Sequence, residues 1–304
     1  MPDGPWEAAL SAITSTEKTR SPRVYTTPTW YWVLIGVLVA VVALTAYPAL
    51  TQAPHTPGIG DLFPAAIFGE GTFFEFNRLT LARLIVAVVI GAVVAFGATH
   101  LKTIPARGQQ LLELFAEFIR ENIAISMLGN KQGRRYAPLF GMIFLGIFGM
   151  NVTGIIPGIN IAASSVIAVP VVFALIAYVS FISAGIREHG AFHFFVGQLF
   201  PPGLPKPIYL MITPIEAFST FIVRPATLAI RLLANMISGH MLLAVTYFGT
   251  ATILEATGII KSLALLTGLA IVGVTLFELF VALLQAYIFT MLTAVYIKLS
   301  VEAH

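Results

Sequence analysis

Long apolar tracts broken by short polar stretches set the pattern of this chain. Four tracts have the length of about 20 residues that one membrane crossing needs: Trp30 to Leu50, Leu79 to Ala98, Ala137 to Ile156 and Ile161 to Ile186. The first opens on Trp30, Tyr31 and Trp32, residues suited to the interfacial aromatic belt. Beyond Pro207, two tracts over 208–253 and 258–300 are each about twice as long as one crossing requires. Neither carries a Gly/Pro hairpin at its middle, and Pro225 reads as a kink rather than a stop. They are expected to be two long, strongly tilted helices. Between Lys102 and Tyr136, Leu111, Leu112, Phe115, Phe118 and Ile119 recur at helical spacing among Glu113, Glu117, Arg120 and Glu121. That pattern predicts an amphipathic helix on the membrane surface over about 104–128.

The expected fold is therefore an all-α polytopic membrane protein. It has about four near-vertical or surface-flanking transmembrane helices, one amphipathic interfacial helix, and two long tilted helices forming a hairpin. Composition agrees. Of 304 residues, 58% are hydrophobic and 10% charged, with a mean hydropathy of +0.90. A soluble domain carries roughly 25% charged residues, so this chain cannot coat a water-facing surface. Zero cysteines exclude a disulfide framework and thiolate metal sites.

The net charge of +3 is mostly a matter of topology, and it does not point to nucleic acid. Lys18, Arg20 and Arg23 precede the first span, and Lys102, Arg107, Lys131, Arg134 and Arg135 follow the second. Arg187, Lys206 and Lys298 come later, whereas Thr51 to Asn77 carries Asp61, Glu70 and Glu75. All agree if both termini and the amphipathic loop face the cytoplasm. The chain then divides into a basic amino-terminal segment 1–29, a first helix 30–50, an extracytoplasmic loop 51–78 and a main membrane domain 79–300. Ala49 to Ala53 could also end a signal peptide, but the apolar run exceeds the usual signal core and favours a retained helix.

Function is sought among polar residues inside the long tracts, since each ionisable group costs about 2.5–3.5 kcal/mol or more at the bilayer centre. Arg231, His240, Glu278 and Gln285 stand out, supported by Glu216, Asn235 and Tyr296. An arginine stays charged, so Arg231 needs an anion or water unless it snorkels to an interface. Asn235, one turn on, could hold its guanidinium or a water. Glu278, Gln285 and Tyr296 recur at near-whole turns and share one stripe. A histidine titrates near neutrality and a desolvated carboxyl approaches that range, so His240 and Glu278 can form a proton-exchanging pair. Glu216 is either a vestibule group or a helix-terminal carboxylate. No carboxylate of this chain is an obvious mate for Arg231, which places the anion on a partner.

The run Ile230-Arg231-Leu-Leu-Ala-Asn235-Met-Ile-Ser-Gly239-His240, followed by Glu278-Leu-Phe-Val-Ala-Leu-Leu-Gln285 and on to Tyr296, resembles subunit a of F-type ATP synthases. The stretch Asn151 to Pro157 and the spacing from Pro225 to Arg231 are similar too, and the likeness runs from about residue 60 to the end. It implies a non-catalytic, proton-translocating stator in a bacterial plasma membrane, with no cofactor. Implied partners are the c-ring, against which the long helices pack, the peripheral-stalk b subunits, the rest of the F1Fo complex and the lipid bilayer. By this resemblance Arg231 faces the ring carboxylates with Gln285 beside it. His240 and Glu278 are the coupled pair of the inlet half-channel, Asn235 lines it, and Glu216 stands near the outlet. Some relatives carry an aspartate where this chain has Gly154, so that contribution is missing or comes from Asn151. Two rivals are a proton-coupled transporter of an anionic substrate, which predicts internal symmetry the chain lacks, and an intramembrane hydrolase. Ser238 and His240, two apart on a helix, point away from each other and cannot serve the latter.

Overall fold

The structure, a computed structural model, describes residues 56, 58, 60, 66–68, 76–99, 107–156, 163–199 and 206–302. The basic amino-terminal segment, the helix expected over 30–50 and its signal-peptide alternative lie outside the described residues. A two-stranded antiparallel pair, β1 (Ala66–Phe68) and β2 (Phe76–Asn77), precedes the helices. The sequence pattern had shown only a loop there.

Helix α1 (Arg78–Thr99) starts where Asn77 Oδ1 accepts from the Thr80 backbone N–H at 3.0 Å and its hydroxyl at 3.1 Å, an N-cap that fixes the first turn. Beyond Arg83 its residues are apolar on every face up to Gly97. Leu79, Ala82 and Val86 are buried, Arg83 donates from Nε to the Ala163 carbonyl oxygen at 2.9 Å, and most of the helix's other described side chains are exposed.

The amphipathic stretch forms α2 (Arg107–Glu117), which runs on as π-helix over Phe118–Ile125. Its second half does not lie open on a surface. Ile119, Ile123 and Ala124 are buried against α3 (Ser126–Val152). Reversal between the two falls at Gly129, whose φ of 72° suits a residue without a side chain. A Cβ on Gly133 would come within 2.7 Å of the Ala124 carbonyl oxygen, so the two segments touch backbone to backbone.

The third span, expected to reach Ile156, stops at Val152. Thr153 Oγ1 turns back to the Met150 carbonyl at 2.7 Å, and Gly154 N–H bonds to the Asn151 carbonyl at 3.1 Å. The fourth, α4 (Ala168–His189), starts later than the expected 161 because Ala163 and Ser164 are diverted into hydrogen bonds with Thr153 and Asn151. A short helix α5 (Ala191–Leu199) follows Gly190, which has φ 78°.

The two long tracts are single helical runs. Helix α6 (Lys206–Phe218) passes through one π-segment (Ser219–Val223) into α7 (Arg224–Glu255), with Pro214 and Pro225 accommodated inside the run. A 3-10 turn (Gly258–Ser262) joins it to α8 (Leu263–Val301). Fifty residues of helix measure about 75 Å against about 30 Å of hydrocarbon, so the first run must incline or curve strongly. Five helical stretches among the described residues are long and apolar enough to cross a membrane. A core shared by four of them joins Phe140, Ile143 and Ile147 of α3, Ala174 and Ala177 of α4, Leu228 and Leu232 of α7, and Ala286 and Phe289 of α8. Alanines on α4 and α8 allow the close helix approach that packing in lipid relies on.

Candidate functional site

Two side-chain contacts set the antiparallel register of α7 and α8. Asn235 Nδ2 donates to Gln285 Oε1 at 2.6 Å. Towards the other end, the Arg224 guanidinium lies 5.8 Å from the centre of the Tyr296 ring. Eleven residues separate the contacts on each helix, which is about 16 Å along the axis. The expected residues gather in two regions.

The first region surrounds a small cavity lined by Asn151, Asn235, Met236, Glu278, Val281, Ala282 and Gln285, with room for about one water. Asn151, Glu278 and Gln285 are only 1%, 6% and 2% exposed. Asn151 Oδ1 accepts from the Ser164 hydroxyl at 2.7 Å. Asn151 Nδ2, both Glu278 oxygens and Gln285 Nε2 have no hydrogen-bond partner among the described residues. Four buried polar atoms lining one small space are costly unless a bridging water or an exchanging proton meets them. Glu278 packs on Gly239, where an added Cβ would stand 2.9 Å from Oε1. His240, the next residue, is half-buried with its Nδ1 inside the protein. The expected pair of His240 and Glu278 is thus brought close through Gly239, but no direct hydrogen bond reaches the carboxylate. Asn235 is committed to Gln285 rather than to Arg231.

The second region is built on Glu216. It lies inside α6 rather than at a helix end, half-buried, where its Oε1 accepts from the Thr220 hydroxyl at 3.2 Å and pairs with Arg224 at 3.5 Å. Tyr296 joins this cluster and not the Glu278 cavity, although the three residues share one stripe of α8. Tyr178, Thr220, Arg224, Leu228 and Tyr296 border a second small cavity. Arg224 had not been singled out from sequence. Its signal was available: it stands seven residues before Arg231, the near-two-turn spacing that links Glu278 with Gln285.

Arg231 lies between the two regions along α7 but outside both. Its side chain is exposed, at the midpoint of the continuous helical run from Lys206 to Glu255, and it makes no ion pair or hydrogen bond among the described residues. The other exposed residues of its stripe, Thr227, Ala234 and Ser238, are small. Arg231 is thus the one exposed cation on a stripe of otherwise small exposed residues. Among the described residues no group of three His, Asp or Glu side chains is placed to hold a metal ion.

A family model described as ATP synthase A chain matches residues 80–298. The chain is 37% identical over 253 residues to ATP synthase subunit a of Rhodococcus erythropolis, covering 82% of this chain and 91% of that one. It is 41% identical over 222 residues to the subunit a of Frankia alni, covering 73% and 76%. With that of Streptomyces lividans it shares 32% over 250 residues, covering 82% and 88%. The match takes in both polar regions and the exposed arginine between them.

Proposed function

The chain belongs to the ATP synthase A chain family, and from that premise we propose that it is the ion-translocating stator subunit of an F-type ATP synthase. It is a multi-pass bacterial membrane protein. In this reading it makes no ATP itself. It stands beside a rotating ring of c subunits, is held by peripheral-stalk b subunits, and turns ion flow into torque for the soluble head of the complex.

Protons reach the Asn151, Glu278 and Gln285 cavity from the extracytoplasmic side, with His240 as the exchanging partner of Glu278. The unmet buried atoms there support a hydrated inlet, because water is what satisfies them at least cost. From this cavity a ring carboxylate takes a proton, becomes neutral and can enter lipid. After nearly a full turn it loses the proton towards the Glu216 region and is drawn to Arg231. A free cation is repelled by that fixed charge, so ions cannot pass directly between the two regions.

Arg231 carries the reading. A permanent charge halfway along a membrane helix needs an anion, and none of the described residues of this chain supplies one. The small residues on its stripe support close approach of a partner helix bearing that anion. ATP-driven proton pumping by the assembled complex tests the proposal. Arg231→Ala is expected to abolish pumping while the soluble head still hydrolyses ATP. Pumping retained in that variant would overturn the assignment.

A further inference from the structure

The two polar regions are separated inside the protein as well as along the exposed stripe that carries Arg231, and in the stator reading Arg231, being exposed, guards only the outer route. Between the Asn235–Gln285 contact and the Arg224–Tyr296 contact, the inner faces of α7 and α8 carry Leu228, Leu232, Ala286 and Phe289. Leu232 and Phe289 are 0% and 1% exposed. The Phe289 ring stands edge-on to Phe173 of α4, with centroids 6.4 Å apart, which closes the third side. Two fully buried polar side chains of α8 fall within this layer, Thr290 and Thr293. Both hydroxyls donate into their own helix, to the Ala286 carbonyl at 2.8 Å and the Phe289 carbonyl at 2.9 Å, so neither links one region to the other. The cavity on the Glu278 side and the cavity on the Arg224 side share no lining residue.

We propose that Leu228, Leu232, Ala286 and Phe289 form an internal dry seal, a second barrier that stops protons crossing within the subunit while Arg231 stops them crossing at the ring. Arg224, resting on Tyr296 and paired with Glu216, closes the seal at its release-side end. Apolar layers of this kind stay dry, and a proton crossing one must shed its hydration. The inference rests on the stator reading, since a barrier has a purpose only if the regions on either side connect to opposite faces of the membrane.

The test uses the complete complex in liposomes, with the ring stalled by a carbodiimide so that only leakage remains. Phe289→Asn places a polar amide in the middle of the layer, and Leu228→Asn does so from the opposite helix. Either variant is expected to discharge an imposed pH gradient at least about tenfold faster than the parent, since a wetted path removes more than the one factor of ten in barrier that ~1.4 kcal/mol represents. Phe289→Leu keeps the layer apolar and is expected to hold the gradient like the parent. If Phe289→Asn and Leu228→Asn complexes hold it as long as the parent does, the seal is refuted. A parent complex with no ring-dependent proton flow would refute the stator reading instead, and that is measured before any variant.

Discussion

Arg224 and Arg231 stand two turns apart on α7, and only Arg224 has an anion of its own, Glu216 at 3.5 Å. That difference assigns them different work. Arg224 is a structural cation whose charge is met within the fold and whose plane rests on Tyr296. Arg231 is left outward and unmet among the described residues, as the proposed stator role requires of a charge that binds and releases a passing carboxylate.

Removing the anion from Arg224 should therefore be costly in a way that removing both charges is not. Glu216→Gln leaves a half-buried guanidinium whose Nη1 is already without a hydrogen bond among the described residues. It is expected to destabilise the assembled protein by about 1–3 kcal/mol. Glu216→Gln combined with Arg224→Gln should recover part of that loss. Thermal unfolding of the purified complex measures both, and equal losses for the single and double variants would contradict the pairing.

Gly239 is small because Glu278 needs its space. Gly239→Ala would set a Cβ 2.9 Å from Oε1 and 3.3 Å from the carboxyl carbon, so the carboxyl must shift from its present position. Proton pumping is expected to fall several-fold with assembly intact, and the shorter side chain of Glu278→Asp in the same background should restore part of it. A Gly239→Ala variant that pumps at the parent rate would show that the position of Glu278 does not matter.

The amide pair of Asn235 and Gln285 is expected to behave as one unit. Asn235→Leu strands a Gln285 side chain that already has one unmet nitrogen, which should cost about 1 kcal/mol in a membrane interior. Adding Gln285→Leu should return most of the stability, because both polar groups are then gone. Pumping should stay low in the double variant. A double-substitution cycle of unfolding free energies, read beside pumping rates, separates the two effects.

Much of this organisation is legible in the chain, for identifiable reasons. Helix extents follow from unbroken apolar tracts, so α1 and the two long runs fall within a few residues of expectation, and Arg231 is conspicuous as a charge in mid-tract. The reversal at Gly129 was hidden because helical periodicity continues on both sides of it. Only the positive φ of one residue turns a surface helix into a hairpin partner of α3. Ser164 disappeared into an apolar tract, since its hydrogen bond to Asn151 spans thirteen residues and is set by tertiary packing. Tyr296 was assigned to the Glu278 stripe correctly by angle, but α8 is long enough for one stripe to serve two regions. Arg224 was overlooked because a charge beside Pro225 reads as the edge of a kink until Glu216 and Tyr296 are seen to close around it.

The most direct test is an experimental density map of this chain in its intact complex, read for the anion nearest the Arg231 guanidinium. The expected result is a carboxylate of the neighbouring ring at that position, with no acid of this chain within salt-bridge distance. A guanidinium reaching lipid headgroups, or paired with an acidic residue of its own chain, would contradict the account.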